Sequence, residues 1–192
     1  MHESLHAISE QTFFTETNDD GSMNISESRV GLRLRSSWKE DFSRFRGLNE
    51  FIVCTLVYYS MEKLVGVLEK RFGITSNDLK NKPIHGSGSE HSDFFDKVMN
   101  IINNNKSVDG RDFIMNIIRS HFSGHLNVLK DIDLVFGSGS IRVLSYLDAF
   151  IDKDVRNQVN GLVEEFFLKA NINRKGEIIE KLKEIEEKMD ID

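Results

Sequence analysis

Two short stretches of the sequence carry residue types that can act on RNA without a metal ion. The segment "IRSHFSGHL" places Arg119 five intervening residues before His125, and "VRNQVNG" places Arg156 and Asn157 side by side. Attack of a 2′-hydroxyl on the adjacent phosphate needs a general base, a general acid and a cation near the phosphate. Histidine and arginine supply these groups, so Arg119, His125, Arg156 and Asn157 are the candidate catalytic residues.

The same four residues also have an ordinary structural interpretation. An Arg-Asn pair is common at the start of a helix, and Asp154 or Asn157 is a suitable N-cap there. His125 follows Gly124 and is suited to the end of the preceding helix. This alternative predicts no chemistry at either stretch.

Other kinds of site find less support in the sequence. His121 and His125 are four residues apart, as zinc ligands on a helix can be, but Phe122 stands where the acid of a zinc-protease motif would be and Gly124 interrupts the helix. The two "GSGS" segments lack the preceding strand and third glycine of a dinucleotide site, so we interpret them as linkers. No serine lies in a nucleophile motif. We therefore expect neither a metal nor a cofactor.

Composition and charge limit the class of protein. The 192 residues suffice for one domain, and the net charge of −6 argues against nonspecific coating of nucleic acid. The one cysteine, Cys54, lies in an apolar segment and predicts a buried thiol in a reducing compartment. The longest apolar run, residues 51–59, is too short to cross a bilayer, and the N-terminus does not resemble a secretory signal. We expect a cytoplasmic protein that does not bind membranes.

Helical periodicity dominates most of the chain. There is a single proline, Pro83, and apolar residues recur with a period near 3.6. The clearest helix covers residues 48–72, and Gly47 separates it from a preceding helix that opens at "SSWKEDF". The sequence predicts an all-α fold, a bundle of about six to eight helices.

The N-terminal segment has a different pattern. Val30, Leu32 and Leu34 alternate with arginines in "SRVGLRLRS", and a period of two is typical of a strand or an extended arm. Such an arm packs on its own bundle, on a second subunit or on nucleic acid. We divide the chain into an N-terminal segment and arm (residues 1–36) and a helical bundle domain (residues 37–192).

Three of these features together resemble HEPN domains, the higher-eukaryote and prokaryote nucleotide-binding superfamily. They are the long helix "FIVCTLVYYSMEKLVGVLE", the "FSG-x-L" turn at residues 122–126 and the Arg-Asn pair at the head of a later helix. The likeness covers roughly residues 48–167 and is greatest to the bacterial branches found in toxin and phage-defence loci.

The sequence departs from the HEPN motif in one respect. In those families a histidine follows the arginine and its polar neighbour after four to six positions. From Arg156 that window falls on Gly161, Leu162 and Val163, and Asn160 is one step short of it. Arg119 and His125 meet the spacing, but they straddle a helix break.

The resemblance implies a HEPN-like domain that binds RNA or a protein partner in a defence or toxin–antitoxin setting, with a degenerate catalytic site. A protein partner or a homodimer is expected, and RNA is possible. One alternative is an active metal-independent ribonuclease that uses Arg119, His125 and Arg156. Another is a helical adaptor or regulatory protein unrelated to HEPN.

Overall fold

The computed structural model describes residues 11–17, 23–36, 39–72, 91–105, 110–125 and 129–190. The N-terminal part forms strands, and all later elements are helices. The strands are β1 (Gln11–Thr17), β2 (Met23–Val30), β3 (Arg33–Ser36) and β4 (Lys39–Arg44). The helices are α1 (Arg46–Phe72), α2 (Ser92–Asn104), α3 (Gly110–Ser123), α4 (Lys130–Phe136), α5 (Ser140–Ser145), α6 (Lys153–Leu168) and α7 (Ile172–Asp190).

The predicted all-α bundle is confirmed, with seven helices in the described part of the chain. Helix α6 lies in its core because its apolar residues recur every three or four positions, which places them on one face. The ring of Phe167 meets Phe136 at 4.8 Å and Phe94 at 5.8 Å, edge to face. None of the described helices is long and apolar enough to cross a membrane.

The predicted N-terminal arm forms part of a four-stranded antiparallel sheet in the order β1-β2-β3-β4. The alternating segment is two strands rather than one, since the chain reverses at Gly31 and Leu32 between β2 and β3. Gly31 has a φ of +57°, a left-handed conformation that glycine adopts readily. A period-two pattern runs through such a short turn without a break, which is why the sequence indicated a single strand.

The turn between β2 and β3 packs the sheet on the protein's own helical bundle. This is one of the three packing alternatives that the sequence left open. The backbone N–H of Leu32 donates to Oδ1 of Asn49 in α1 at 3.0 Å. Arg29 donates from Nη2 to the carbonyl oxygen of Gly124, just after α3, at 2.6 Å. Leu32 and Asn49 are both fully buried, so the turn belongs to the core of the domain.

The prediction of a helix that begins at "SSWKEDF" is wrong, because residues 39–44 form strand β4. The backbone N–H of Ser43 donates to the carbonyl oxygen of Ala149 at 2.8 Å, and Phe42 forms a β-bridge with Phe150. Backbone pairing with a distant segment thus overrides the local helical spacing. The predicted domain boundary between residues 36 and 37 falls between β3 and β4, inside the sheet.

A polar cluster ties the sheet to the last helix. Arg44 of β4, Arg142 of α5 and the hydroxyl of Tyr146 all donate to the carboxylate of Glu186 in α7. The guanidinium of Arg44 also lies 4.9 Å from the centre of the Tyr146 ring. Burial opposes ionisation of Glu186, but the Tyr146 hydrogen bond and the Arg44 charge outweigh it and keep its pKa below the ordinary value.

Candidate functional site at the head of helix α6

Residues 151–157, which we call the head of α6, contain the predicted Arg-Asn pair. Oδ1 of Asp152 accepts hydrogen bonds from the backbone N–H groups of Asp154 and Val155, at 3.0 and 2.9 Å. Asp152 is therefore the N-cap, rather than Asp154 or Asn157. Arg156 follows in the helix half-buried, and Asn157 is exposed.

One turn after Arg156, Asn160 holds the loop that precedes α6. Its Nδ2 donates to Oδ1 of Asp148 at 2.8 Å, and its Oδ1 accepts from the backbone N–H of Asp148 at 2.9 Å. Asp148 has a φ of +56°, so this pair of bonds stabilises a left-handed residue. Both the amino group and the carbonyl oxygen of the Asn160 side chain are therefore hydrogen-bonded within the chain.

A histidine also reaches this cluster, but from another part of the sequence. Nε2 of His91, the residue before α2, lies 2.7 Å from Oδ2 of Asp148. Burial is the largest influence on Asp148 and raises its pKa. The hydrogen bonds from His91 and Asn160, with the charges of His91 and Arg156, outweigh that influence, so the pKa lies below its ordinary value. An ionised carboxylate only accepts, so Nε2 of His91 must carry the hydrogen of this bond.

This geometry restricts what the cluster can do chemically. The His91 side chain is only 8% exposed, and its Nε2 is committed to Asp148. A general acid or base must come within hydrogen-bonding reach of the substrate, and this ring is screened from any molecule at the surface. The cluster consequently fixes the position of the α6 head, whereas Arg156 is half-buried and Asn157 is exposed.

The other predicted pair lies at the end of α3. Arg119 is exposed and donates from Nη1 to Oδ1 of Asn116 at 3.3 Å. His125 is exposed after Gly124, and its backbone N–H lies 3.4 Å from Oγ of Ser123. Helix α3 packs mainly on α1 and α2, whereas α6 packs mainly on α2, α5 and α7.

Within the described ranges, no hydrogen bond or ion pair joins the α3 pair, Arg119 and His125, to Arg156 or Asn157. The four predicted catalytic residues thus lie on two elements, the end of α3 and the head of α6. His121, one of the two histidines with zinc-ligand spacing, is fully buried, and its ring meets the Phe122 ring edge to face at 5.0 Å. The described part of the chain contains no group of three or more His, Cys, Asp or Glu side chains suited to a metal ion.

Sequence reasoning missed three members of the α6 cluster, namely His91, Asp148 and Asn160. One local signal was available for Asn160, because it lies four residues after Arg156 and so shares its face of the helix. Asp148 and His91 gave no local signal. Their contact joins residues 57 apart in sequence.

Comparison of the chain with protein-family models, with curated proteins and with solved structures found no match. The resemblance to HEPN domains accordingly depends on the sequence features quoted above, and the function is a matter of proposal.

Proposed function

We propose that this chain is a HEPN-like helical domain that binds a protein partner or RNA in a cytoplasmic defence or toxin–antitoxin setting, with a degenerate catalytic site. The proposal is supported mainly by which side chains at the head of α6 are accessible and which are buried or hydrogen-bonded within the chain. Arg156 and Asn157 remain accessible there. Asn160, the next residue on that face, is bound to Asp148, and the nearby His91 is buried. The head of α6 therefore offers Arg156 and Asn157 for binding, whereas the histidine near it is not available to a substrate.

The charges around the α6 head favour a protein partner over RNA. Asp152 and Asp154 are exposed beside the ionised Asp148, and these three carboxylates outnumber the two bases, Lys153 and Arg156. Phosphate groups would be repelled by these carboxylates, since nucleic-acid affinity depends on an excess of Lys and Arg. A protein surface with its own bases would meet complementary charge.

An exposed aliphatic side chain adds to this surface. Ile151 is 50% exposed, immediately before the N-cap of α6. Interfaces commonly bury an apolar side chain beside an arginine that makes directed hydrogen bonds. Ile151, Arg156 and Asn157 offer that combination within two turns of chain.

Site-specific photo-crosslinking in the native host should identify the partner class. Replacing Asn157 with the photo-reactive p-azidophenylalanine should give a covalent adduct on irradiation, because Asn157 is exposed at the proposed surface. The matched control carries the same residue in place of Glu180, which is exposed on α7. Digestion with protease or with ribonuclease then shows whether the adduct is protein or RNA.

We expect a protein adduct at position 157 and none at position 180. A ribonuclease-sensitive adduct at 157 would retain the binding surface and replace the expected partner class with RNA. Adducts at 180 without any at 157 would contradict the proposal and favour a helical adaptor unrelated to HEPN.

The ribonuclease alternative has one supporting observation, which is that a histidine and an arginine both approach Asp148. Because the His91 ring is buried, we expect the purified protein to leave a labelled single-stranded RNA intact in the presence of EDTA. If the chain were an enzyme, loss of its acid or base would lower the rate by roughly 10²–10⁴-fold. EDTA-resistant cleavage that is lost in His125→Ala would establish the enzyme and identify its histidine.

A further inference from the structure

The β1–β2 hairpin extends beyond the rest of the sheet. Strand β3 pairs with β2 only at Arg29 and Val30, at the end of β2. Strand β1 pairs along its whole length with β2 and packs mainly on that strand. Residues 13–17 and 23–27 thus form a two-stranded ribbon, and the outer edge of β1 has no strand partner in the described part of the chain.

In the described part of the chain, this ribbon has only two strands, and its β1 edge is unpaired. Two strands alone are marginally stable in water, and an open edge presents unpaired N–H and C=O groups to other chains. Edge strands are commonly protected by lysine, proline or a bulge. The sequence of β1, QTFFTET, contains neither lysine nor proline, and five of its seven residues are the strong β-formers Thr and Phe.

The register shift between the described strands of the hairpin does not protect this edge. The pairing shifts between Thr12 and Phe13, at the start of β1. From Phe13 to Thr17 each residue of β1 has a successive partner in β2. This stretch keeps the regular pleat that pairing with a further strand requires.

We propose that β1 is an interaction edge, which pairs antiparallel with β1 of a second copy of this chain about a two-fold axis at Phe14. In that register Phe14 faces the same residue of the second copy, and Glu16 faces Thr12. No like charges meet, and the central aromatic pair contributes favourably. The two ribbons become one four-stranded sheet. This inference goes beyond the proposed function and does not rest on it.

The second copy is the occupant that the sequence of β1 fits. Short segments of high β-propensity and low charge pair readily with themselves. An isologous contact about a two-fold axis closes after two copies, so it yields a dimer rather than a fibre. A basic partner strand would find only one carboxylate, that of Glu16, along this edge.

Analytical ultracentrifugation of the full chain over a dilution series tests the proposal. Wild type should sediment as a dimer at tens of micromolar. Phe14→Lys should weaken the dimer at least about tenfold, since two lysines then face each other across the axis. Thr15→Lys adds the same charge one residue along, where it faces Phe13 of the copy, and should retain the dimer. Circular dichroism of each variant verifies that the helical bundle remains folded.

A monomeric wild type would overturn the proposal, as would a folded Phe14→Lys variant that dimerises like wild type. Equal loss of the dimer in both lysine variants would contradict pairing centred on Phe14. The photo-crosslinking result at Asn157 does not depend on these outcomes, so the failure of one proposal is distinguishable from the failure of the other.

Discussion

Gly31→Ala should lower the free energy of unfolding by roughly 2–5 kcal/mol. Gly31 has a φ of +57°, and a Cβ there would overlap the ring of the fully buried His121 and lie 2.7 Å from Oδ1 of Asn49. The left-handed conformation costs an alanine about 1–2 kcal/mol. Overpacking between two buried side chains adds about 1–3 kcal/mol. Urea denaturation followed by circular dichroism measures the change.

Gly161→Ala is the matched control, because the same chemical change should have the opposite sign. Gly161 is exposed within α6, and nothing lies within 4 Å of the position of its missing Cβ. Alanine is favoured over glycine in a helix interior by about 0.5–1 kcal/mol, so this variant should be more stable than wild type. A neutral Gly31→Ala would show that the β2–β3 turn is not seated between α1 and α3.

The helices were predictable from the sequence because the signal that specifies them is local. In α6, Val159, Leu162, Val163 and Phe166 follow the helical period and are all buried in the structure. The end of α3 was marked equally clearly. Gly124, with a φ of +77°, follows the last residue of that helix.

The strand β4 was not predictable in this way. Phe42, Phe45 and Leu48 are spaced as on a helix, so the local pattern indicated one. The competing interaction is a bridge between Phe42 and Phe150, with the backbone N–H of Phe45 donating to the carbonyl oxygen of Ser145 at 2.8 Å. Those partners lie about a hundred residues along the chain, where no local window can detect them.

The residues of the candidate site also differ in whether the sequence alone could identify them. Sequence alone identified Arg156 and Asn157 because they lie together at the start of a helix. The groups that hold this helix in place come from two other segments, His91 before α2 and Asp148 after α5. Only the tertiary fold shows that Asn160, which stands near the position expected for a histidine, has become part of a structural cluster.

Asp148→Ala should destabilise the protein by about 2–4 kcal/mol, since it removes the acceptor of two part-buried hydrogen bonds. The Asp148 side chain is 17% exposed, and its oxygens accept from His91 and from Asn160. Alanine also tolerates the φ of +56° less well than aspartate does. Asp154→Ala removes an exposed carboxylate near the same helix start and should change stability by less than about 0.5 kcal/mol.

Acid denaturation provides the second measurement on this site. The pKa of Asp148 is lower in the folded protein than its ordinary value, so its contribution is fully present above that ordinary value. The contribution is lost as the pH falls through the folded pKa. Wild type should lose stability over this acidic range more steeply than Asp148→Ala, because the variant no longer has the carboxylate that titrates.

Asp148→Asn separates the hydrogen bonds of this residue from its charge. An asparagine oxygen can still accept from His91, and asparagine adopts left-handed conformations more readily than alanine does. We therefore expect Asp148→Asn to recover part of the stability at neutral pH while keeping the shallow acid dependence of Asp148→Ala. Equal stability of all three proteins at neutral pH would mean that the His91–Asp148–Asn160 cluster does not hold the head of α6, and that Arg156 and Asn157 are positioned by the apolar packing of the helix alone.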